Sequence, residues 1–179
     1  MMRKYAITPF IIELRDNIRL EMIRMPKLDI HYNKSLKLSN VLVRRLINKQ
    51  EVVEFNQIVQ NMGNYIKLKG AMPVGPVIQY TSPIIDQNGE LDIVMEIMVQ
   101  SNNFLQNVES PYYMKPIIRV KDCLYVRFID NESKLNIAYE KIGVTAYEED
   151  VELKGNSYTI FVGQQDDIIT ADIFMERAD

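Results

Sequence analysis

The chain has 179 residues, 47% of them hydrophobic, which is enough to build the core of one ordinary domain. Its formal net charge of -3 at pH 7 argues against a nucleic-acid binder, which needs a basic surface to displace counterions from phosphates. A single cysteine, Cys123, excludes an intrachain disulfide, and the sequence contains no signal-peptide core or membrane span. The composition therefore predicts a cytoplasmic protein in a reducing compartment.

Residues 1–38 form an N-terminal extension that precedes a repeated region. In residues 10–22, apolar and polar residues alternate on both sides of the turn-forming Arg15-Asp16-Asn17, which favours a β-hairpin with a three-residue loop. An amphipathic helix is the alternative, because apolar residues there also recur at spacings of three and four. Residues 27–39 are interpreted as a polar connection in which His31 is exposed.

A degenerate duplication follows, in which residues 123–130 match residues 41–48 in apolar character, in an arginine and in a polar last residue. The first copy, about residues 41–99, begins with a strand over 41–47. A helix with an apolar residue at every third or fourth position comes next, and we expect Asn48 to cap it and Gly63 to end or kink it. Asn88-Gly89 is expected to join two further strands, 77–81 and 91–99.

The second copy, about residues 117–175, repeats this order. A strand over 123–129 ends at Asp130 and Asn131, which cap a helix whose apolar stripe is expected to end at Gly143. Strands over 157–162 and 168–175 follow, and residues 101–111 are interpreted as a linker between the copies. The sequence therefore predicts an α+β fold, with duplicated strand-helix-strand-strand units forming a curved antiparallel sheet with helices on one face. Residues 39–179 would make one domain.

The strand patterns indicate which sheet face is free to bind a ligand. In the strand 91–99 the odd-numbered residues are all apolar and must contact the helices, whereas Glu96 lies on the opposite, mixed face. The strand 168–175 repeats this arrangement with Asp172. A groove between the two mixed faces, with aromatic walls and carboxylates that favour flat cations, predicts a small-molecule site. Its predicted ligand-binding residues are Tyr80, Glu96, Tyr113, Tyr125, Arg127, Phe161 and Asp172.

The alternative interpretation is a solvated sheet face that binds nothing. Glu96 would then pair with Arg45, and Asp172 with Arg127, and exposed ion pairs of this kind contribute little to stability. The tyrosines would be packing residues whose hydroxyl groups stay in contact with water. The sequence leaves both interpretations open.

Residues with obvious catalytic chemistry are scarce. The one histidine, His31, has no acid and nucleophile arranged around it in the sequence, and one His and one Cys do not make a zinc site. The glycines are too widely spaced for a phosphate-binding loop. Paired carboxylates could serve acid-base catalysis, but no pair stands out among the 24 acidic residues. We therefore predict a protein that is not an enzyme and that carries neither metal nor cofactor.

Both copies contain short sequence landmarks. Residues 75–80 (GPVIQY) and 91–97 (LDIVMEI) flank the predicted hairpin of the first copy, and the second contains residues 124–128 (LYVRF), 136–139 (NIAY) and 158–161 (YTIF). Over about residues 38–176 this order resembles that of the gyrase-inhibitor-like (GyrI-like) effector-binding domains. The resemblance implies two related halves that bind hydrophobic or cationic compounds in a central groove, often as the sensing part of a transcription regulator.

The chain departs from that family in two ways. The family places a glutamate at the position that Thr159 occupies, so Glu96 or Asp172 would have to replace it in cation recognition. Residues 1–38 lie outside the family pattern and predict, as an alternative function, a docking site for a protein partner. The chain is also similar to small proteins of Gram-positive bacteria encoded beside secreted toxins, which implies an adaptor or accessory role with the groove filled.

Overall fold

The structure is a computed structural model that describes residues 28–46, 54–85 and 87–178. Its elements in chain order are β1 (His31–Leu46), α1 (Phe55–Leu68), β2 (Pro73–Ile85), β3 (Leu91–Ser101), β4 (Tyr112–Asn131), α2 (Leu135–Glu148), β5 (Leu153–Gln165) and β6 (Ile168–Arg177). A 3₁₀ turn, Glu132–Lys134, leads into α2. The hairpin or helix predicted for residues 10–22 and the helix cap predicted at Asn48 lie outside the described residues.

These strands close into one antiparallel barrel in the order β1-β3-β2-β5-β6-β4. The predicted α+β class is confirmed, but the predicted open, curved sheet is wrong. Closure depends on the two longest strands, β1 with 16 residues and β4 with 20. β1 pairs with β4 over residues 31–44 and with β3 over residues 41–46. β4 pairs with β1 over residues 112–125 and with β6 over residues 123–131, so these two strands close the barrel.

The first halves of these long strands are absent from the sequence-based prediction because they are polar or contain proline. Residues 31–35 of β1 are exposed and carry polar side chains except at Tyr32, so their pattern is that of a connection. Pro116 lies inside β4, where the facing residue of β1, Asn40, has a positive φ of 51°. The missing N–H of proline therefore falls at an irregular point of the ladder, where such a residue is tolerated.

The order strand-helix-strand-strand occurs twice along the described chain. α1 and α2 both have 14 residues and begin at Phe55 and Leu135, an offset of 80; β2 and β5 begin at Pro73 and Leu153, the same offset. Where β2 pairs with β5, Gln79 lies opposite Thr159, its own counterpart 80 residues later. An approximate two-fold axis therefore passes between these residues and relates the halves. The single domain over residues 39–179 stays a prediction.

Both helices continue past the glycines at which α1 was expected to end or kink and α2 to end. Gly63 and Gly143 each lie inside a helix, and buried residues follow them, Ile66 in α1 and Ala146 in α2. A mid-helix glycine costs about 1 kcal/mol, and packing of the next apolar turn against the barrel offsets this. Asn131, predicted to cap α2, caps the 3₁₀ turn that leads into it: its side chain accepts a 3.0 Å hydrogen bond from the backbone N–H of Ser133. The N-cap of α2 itself is Lys134, which makes no side-chain cap hydrogen bond.

Among the described residues, three clusters of buried side chains hold the barrel and its helices together. Ile97 and Val99 of β3 pack with α1, and Ala171 and Ile173 of β6 pack with α2, as predicted. Leu91 and Ile93 at the start of β3 are 77% and 65% exposed, so the prediction that the whole β3 row contacts the helices is wrong there. The third cluster draws on five strands: Leu36, Leu38, Val41, Val43, Ile78, Met98, Ile118, Val120, Cys123, Tyr158 and Ile160. Residues from five strands can meet only inside the barrel. The mixed faces of the strands therefore point into its interior.

Candidate ligand-binding site

The centre of the predicted groove is filled by the protein's own side chains. The interior cluster occupies the space where the mixed faces of the two halves meet, and Tyr80 and Phe174 pack against it. Charged side chains lie at the margins of this packed interior, and exposure rises there to 37% for the Lys115 side chain and 52% for that of Arg127. A ligand would therefore be bound at a margin and not along an open groove.

One such margin surrounds the carboxylate of Glu96, and we call it the Glu96 cage: Glu96, Tyr80, Tyr113 and Lys115. The Tyr113 hydroxyl donates a 2.6 Å hydrogen bond to Glu96 Oε1, and the Lys115 ammonium donates a 3.1 Å bond to Oε2. Lys115 Nζ also lies 5.9 Å from the ring centroid of Tyr80 and 5.5 Å from that of Tyr113, within cation–π range. Since the Glu96 side chain is only 10% exposed, the cage is a nearly buried carboxylate bordered by aromatic rings.

Two phenol groups at the cage, those of Tyr113 and Tyr158, are held in the neutral form. Burial, together with the hydrogen bond to Glu96, raises the pKa of Tyr113 well above its usual range. Burial also raises the pKa of Tyr158, whose ring centroid lies 4.8 Å from that of Tyr80. The charged groups at the cage are therefore the Glu96 carboxylate and the Lys115 ammonium, with the Arg45 guanidinium close enough to act on Tyr113.

A second margin, the Asp172 cluster, consists of Asp172, Arg127 and Tyr125. The Arg127 guanidinium donates two hydrogen bonds to the carboxylate, Nε to Oδ1 at 2.7 Å and Nη2 to Oδ2 at 2.8 Å. The Tyr125 hydroxyl adds a third, 2.8 Å from Oδ1, and its ring contacts Phe174 at a centroid distance of 4.9 Å. Burial raises the pKa of Asp172, but the bonds from Arg127 and Tyr125 outweigh burial and leave the pKa below its usual value.

Asp172→Asn is expected to lower the free energy of unfolding by about 1 kcal/mol at pH 7, because the variant loses a charged, bidentate partner of Arg127. Since the pKa of folded Asp172 is depressed, its stabilising effect is present above the unfolded pKa of about 3.9 and is lost as pH falls through the folded pKa. Urea unfolding at pH 7 and at pH 2.5 should show the two proteins converging in acid. The control is Glu109→Gln, which removes one partner of a largely exposed ion pair with Lys69. Its free energy of unfolding should differ little from that of the wild type at either pH. A loss of stability equal to that of Asp172→Asn would contradict the specific role of Asp172.

The two sites share a pattern on β4 that the sequence analysis missed. A tyrosine and a cation two residues apart point to the same side of the strand, as Tyr113 with Lys115 and as Tyr125 with Arg127. Each pair binds one carboxylate, and the carboxylates face arginines at equivalent register positions, Arg45 opposite Glu96 and Arg127 opposite Asp172.

The predicted pairing of Arg127 with Asp172 is present, whereas the ion pair of Glu96 forms with Lys115. The spacing Tyr-x-Lys and Tyr-x-Arg is the sequence signal that could have identified Lys115.

Phe161 lies apart from the other predicted residues, on the outer, helix-facing side of β5. Its ring contacts Phe55 of α1 at a centroid distance of 5.8 Å, and it packs against the cluster under α2. Thr159, two residues earlier, also faces α2, where its hydroxyl is hydrogen-bonded to that of Tyr139. Neither side chain borders the Glu96 cage or the Asp172 cluster.

An open pocket of about 510 Å³ lies at the end of the β5–β6 hairpin. It is lined by Ile129, Gly163, Gln164, Gln165, Asp166, Ile168 and Thr170. Ile129 and Thr170 each lie two residues along their strands from Arg127 and Asp172, so the pocket continues the same strand faces beyond the Asp172 cluster. Its volume would suit a small molecule, but its walls contain no aromatic ring.

The described part of the chain offers few groups for metal binding or nucleophilic catalysis. No group of three or more His, Cys, Asp or Glu residues there is placed to hold a metal ion. His31 lies at the start of β1, exposed, with its ring 5.7 Å from that of Tyr125. Burial raises the pKa of the Cys123 thiol to about 11, which makes it a poor nucleophile at neutral pH. No described helix is long and apolar enough to cross a membrane.

Comparison with known proteins finds solved structures of similar fold. No protein-family model matches the chain, and no curated protein matches it. Among solved structures, SAV2435 bound to tetraphenylphosphonium is 11% identical with a TM-score of 0.50, covering 85% of this chain and 94% of that one. A hydrolase from Listeria innocua is 8% identical with a TM-score of 0.53, covering 89% and 97%. At these identities the likeness shows the fold alone.

Proposed function

We propose that this protein is a non-catalytic binding protein for small hydrophobic cations, and that the cation binds at the Glu96 cage. The observation that carries this proposal is the nearly buried carboxylate of Glu96, which accepts a hydrogen bond from the Tyr113 hydroxyl and lies opposite Tyr80 in the β2–β3 ladder. A carboxylate in such surroundings attracts a cation by charge, and ring faces attract it through their quadrupoles. An apolar cation also loses little hydration on entering, unlike a metal ion or a small ammonium.

The Glu96 cage suits an exchangeable cation better than the Asp172 cluster. Arg127 holds Asp172 through two parallel hydrogen bonds, and a planar, permanently charged guanidinium is a difficult partner to replace. Lys115 holds Glu96 through a single 3.1 Å bond from a flexible stem. A ligand can therefore compete for Glu96 at lower cost.

Two further points support binding without catalysis. A protein of similar fold, SAV2435, was solved bound to tetraphenylphosphonium, a large hydrophobic cation. In the described residues the one histidine lies against a tyrosine ring, and the one thiol is buried and protonated. These groups offer no base and nucleophile pair for a hydrolytic reaction.

Glu96→Gln is expected to weaken binding of tetraphenylphosphonium at least tenfold, because the charge is removed while the hydrogen-bond acceptor remains. Calorimetric titration of wild type and variant measures this. Ligand at 100 times its dissociation constant should also stabilise the wild type by about 2.7 kcal/mol in thermal unfolding. Tetraphenylborate, which carries the same four rings on an anion, should bind the wild type more weakly than the phosphonium does.

Glu176→Gln is the matched control. Glu176 is paired with Lys154 at 2.7 Å and is not part of the cage, so its loss should leave phosphonium binding unchanged. Equal binding by wild type and Glu96→Gln would overturn the assignment of the site. Loss of binding in Asp172→Asn alone would place the ligand at the Asp172 cluster, beside the 510 Å³ pocket.

A further inference from the structure

Lys115 already makes the contacts that a bound cation would make in the Glu96 cage. Its ammonium is 3.1 Å from Glu96 Oε2 and lies within 6 Å of two ring centroids, those of Tyr80 and Tyr113. Few ammonium groups in a protein combine an ion pair with two ring contacts. The cage is therefore filled by a cation that belongs to the chain itself.

The position of Lys115 on β4 keeps its ammonium close to the cage even after displacement. Lys115 faces Val41 across the β1–β4 ladder and lies two residues after Tyr113, on the same side of the strand. Its side chain is 37% exposed, so the ammonium has a path from the cage into solvent. A cation attached by a short flexible stem competes at a high effective concentration, of the order of millimolar or above.

We infer that Lys115 is a built-in competitor that occupies the Glu96 cage and sets the threshold affinity that an external cation must exceed. This inference rests on the proposed function of the same cage. If the ammonium occupies the cage for roughly nine-tenths of the time, every external cation binds about tenfold more weakly than it would to an empty cage. Only cations with a large apolar contact surface, such as tetraarylphosphonium ions, then remain bound at low concentration.

Lys115→Gln is expected to bind tetraphenylphosphonium about tenfold more tightly than the wild type, measured by calorimetric titration. Lys154→Gln removes the same charge from a different ion pair, the one with Glu176, and should leave the affinity unchanged. Lys115→Arg keeps a cation at the cage and should give no gain. Equal or weaker binding by Lys115→Gln, or an equal gain in Lys154→Gln, would overturn the inference.

Acetylation of lysines by an amine-reactive reagent, read by mass spectrometry, gives a second readout. Lys115 should react faster when saturating phosphonium expels it into solvent, whereas Lys154 should react at the same rate with and without ligand. Slower reaction of Lys115 under ligand would mean that the ligand covers the ammonium instead of replacing it, and would overturn the inference.

The outcomes separate this inference from the proposed function. If the wild type binds the cation through Glu96 but Lys115→Gln gains nothing, the inference fails and the function stands. If only Lys115→Gln binds it, Lys115 is a competitor strong enough to block the cage, and the proposed function of the native chain fails. If no variant binds the cation, both are wrong.

Discussion

Ile173→Ala is expected to lower the free energy of unfolding by about 3 kcal/mol. Ile173 of β6 is fully buried against α2, and truncation would leave a cavity that its close-packed neighbours fill only in part. Its counterpart in the first half, Ile97 of β3, is equally buried against α1, so Ile97→Ala should cost a similar amount. Ile168→Ala, at a β6 position that is 42% exposed, is the control and should cost much less.

Both alanine variants should unfold in a single transition. The halves are joined by the β1–β4 and β2–β5 ladders, so loss of packing in one half also weakens the barrel that the other half needs. Urea unfolding followed by circular dichroism and by tyrosine fluorescence measures this directly. Two separate midpoints in either variant would show that the halves unfold independently, and the prediction of one domain over residues 39–179 would then be wrong.

The sequence was sufficient to predict the elements with strong periodicity. The alternation of apolar residues in β3 and β6 was enough to predict that Ile97, Val99, Ala171 and Ile173 face the helices. The stripe of α2, with Ala138 and Ile142 buried, was equally clear. Asn88-Gly89 also indicated the β2–β3 hairpin correctly, with Gly89 at a positive φ of 82° in the turn.

Barrel closure could not be predicted in the same way. It depends on the β1–β4 ladder, which includes the largely polar, exposed first half of β1 and the first half of β4 with its Pro116. Local periodicity cannot distinguish such a segment from a linker, because pairing with a distant strand decides its conformation. Lys115 was missed for this reason, since it lies in the part of β4 that was interpreted as preceding the second copy.

Phe161 was assigned to the site because it is aromatic, although strand alternation argues against it. Tyr158 and Ile160 belong to the interior cluster, so Phe161 must point to the opposite face of β5. Of the seven predicted residues, the structure brings Tyr80, Glu96 and Tyr113 together, and separately Tyr125, Arg127 and Asp172. The grouping into two margins follows from register, which the sequence did not reveal.

The same alternation decides which way a side chain at position 159 points, the position at which GyrI-like domains carry a glutamate. Thr159 is 1% exposed, faces α2 and is hydrogen-bonded to Tyr139. Thr159→Glu would bury a larger, charged side chain between β5 and α2. We expect it to lower the free energy of unfolding by about 3 kcal/mol or more at pH 7, or to prevent folding. Thr159→Val, which keeps the size and loses only the hydroxyl, should cost about 1 kcal/mol.

The pH dependence of the free energy of unfolding of Thr159→Glu tests whether the buried charge causes the destabilisation. Burial raises the pKa of a carboxyl, so a glutamate here should have a folded pKa above its unfolded value of about 4.3. The destabilisation should then be smallest below pH 4 and grow as pH rises, whereas that of Thr159→Val should stay constant. Urea unfolding between pH 4 and 8 measures both, and calorimetry should show no gain in phosphonium affinity. A stable Thr159→Glu that bound the cation more tightly would mean that this side chain faces the ligand, and Glu96 would not be its replacement.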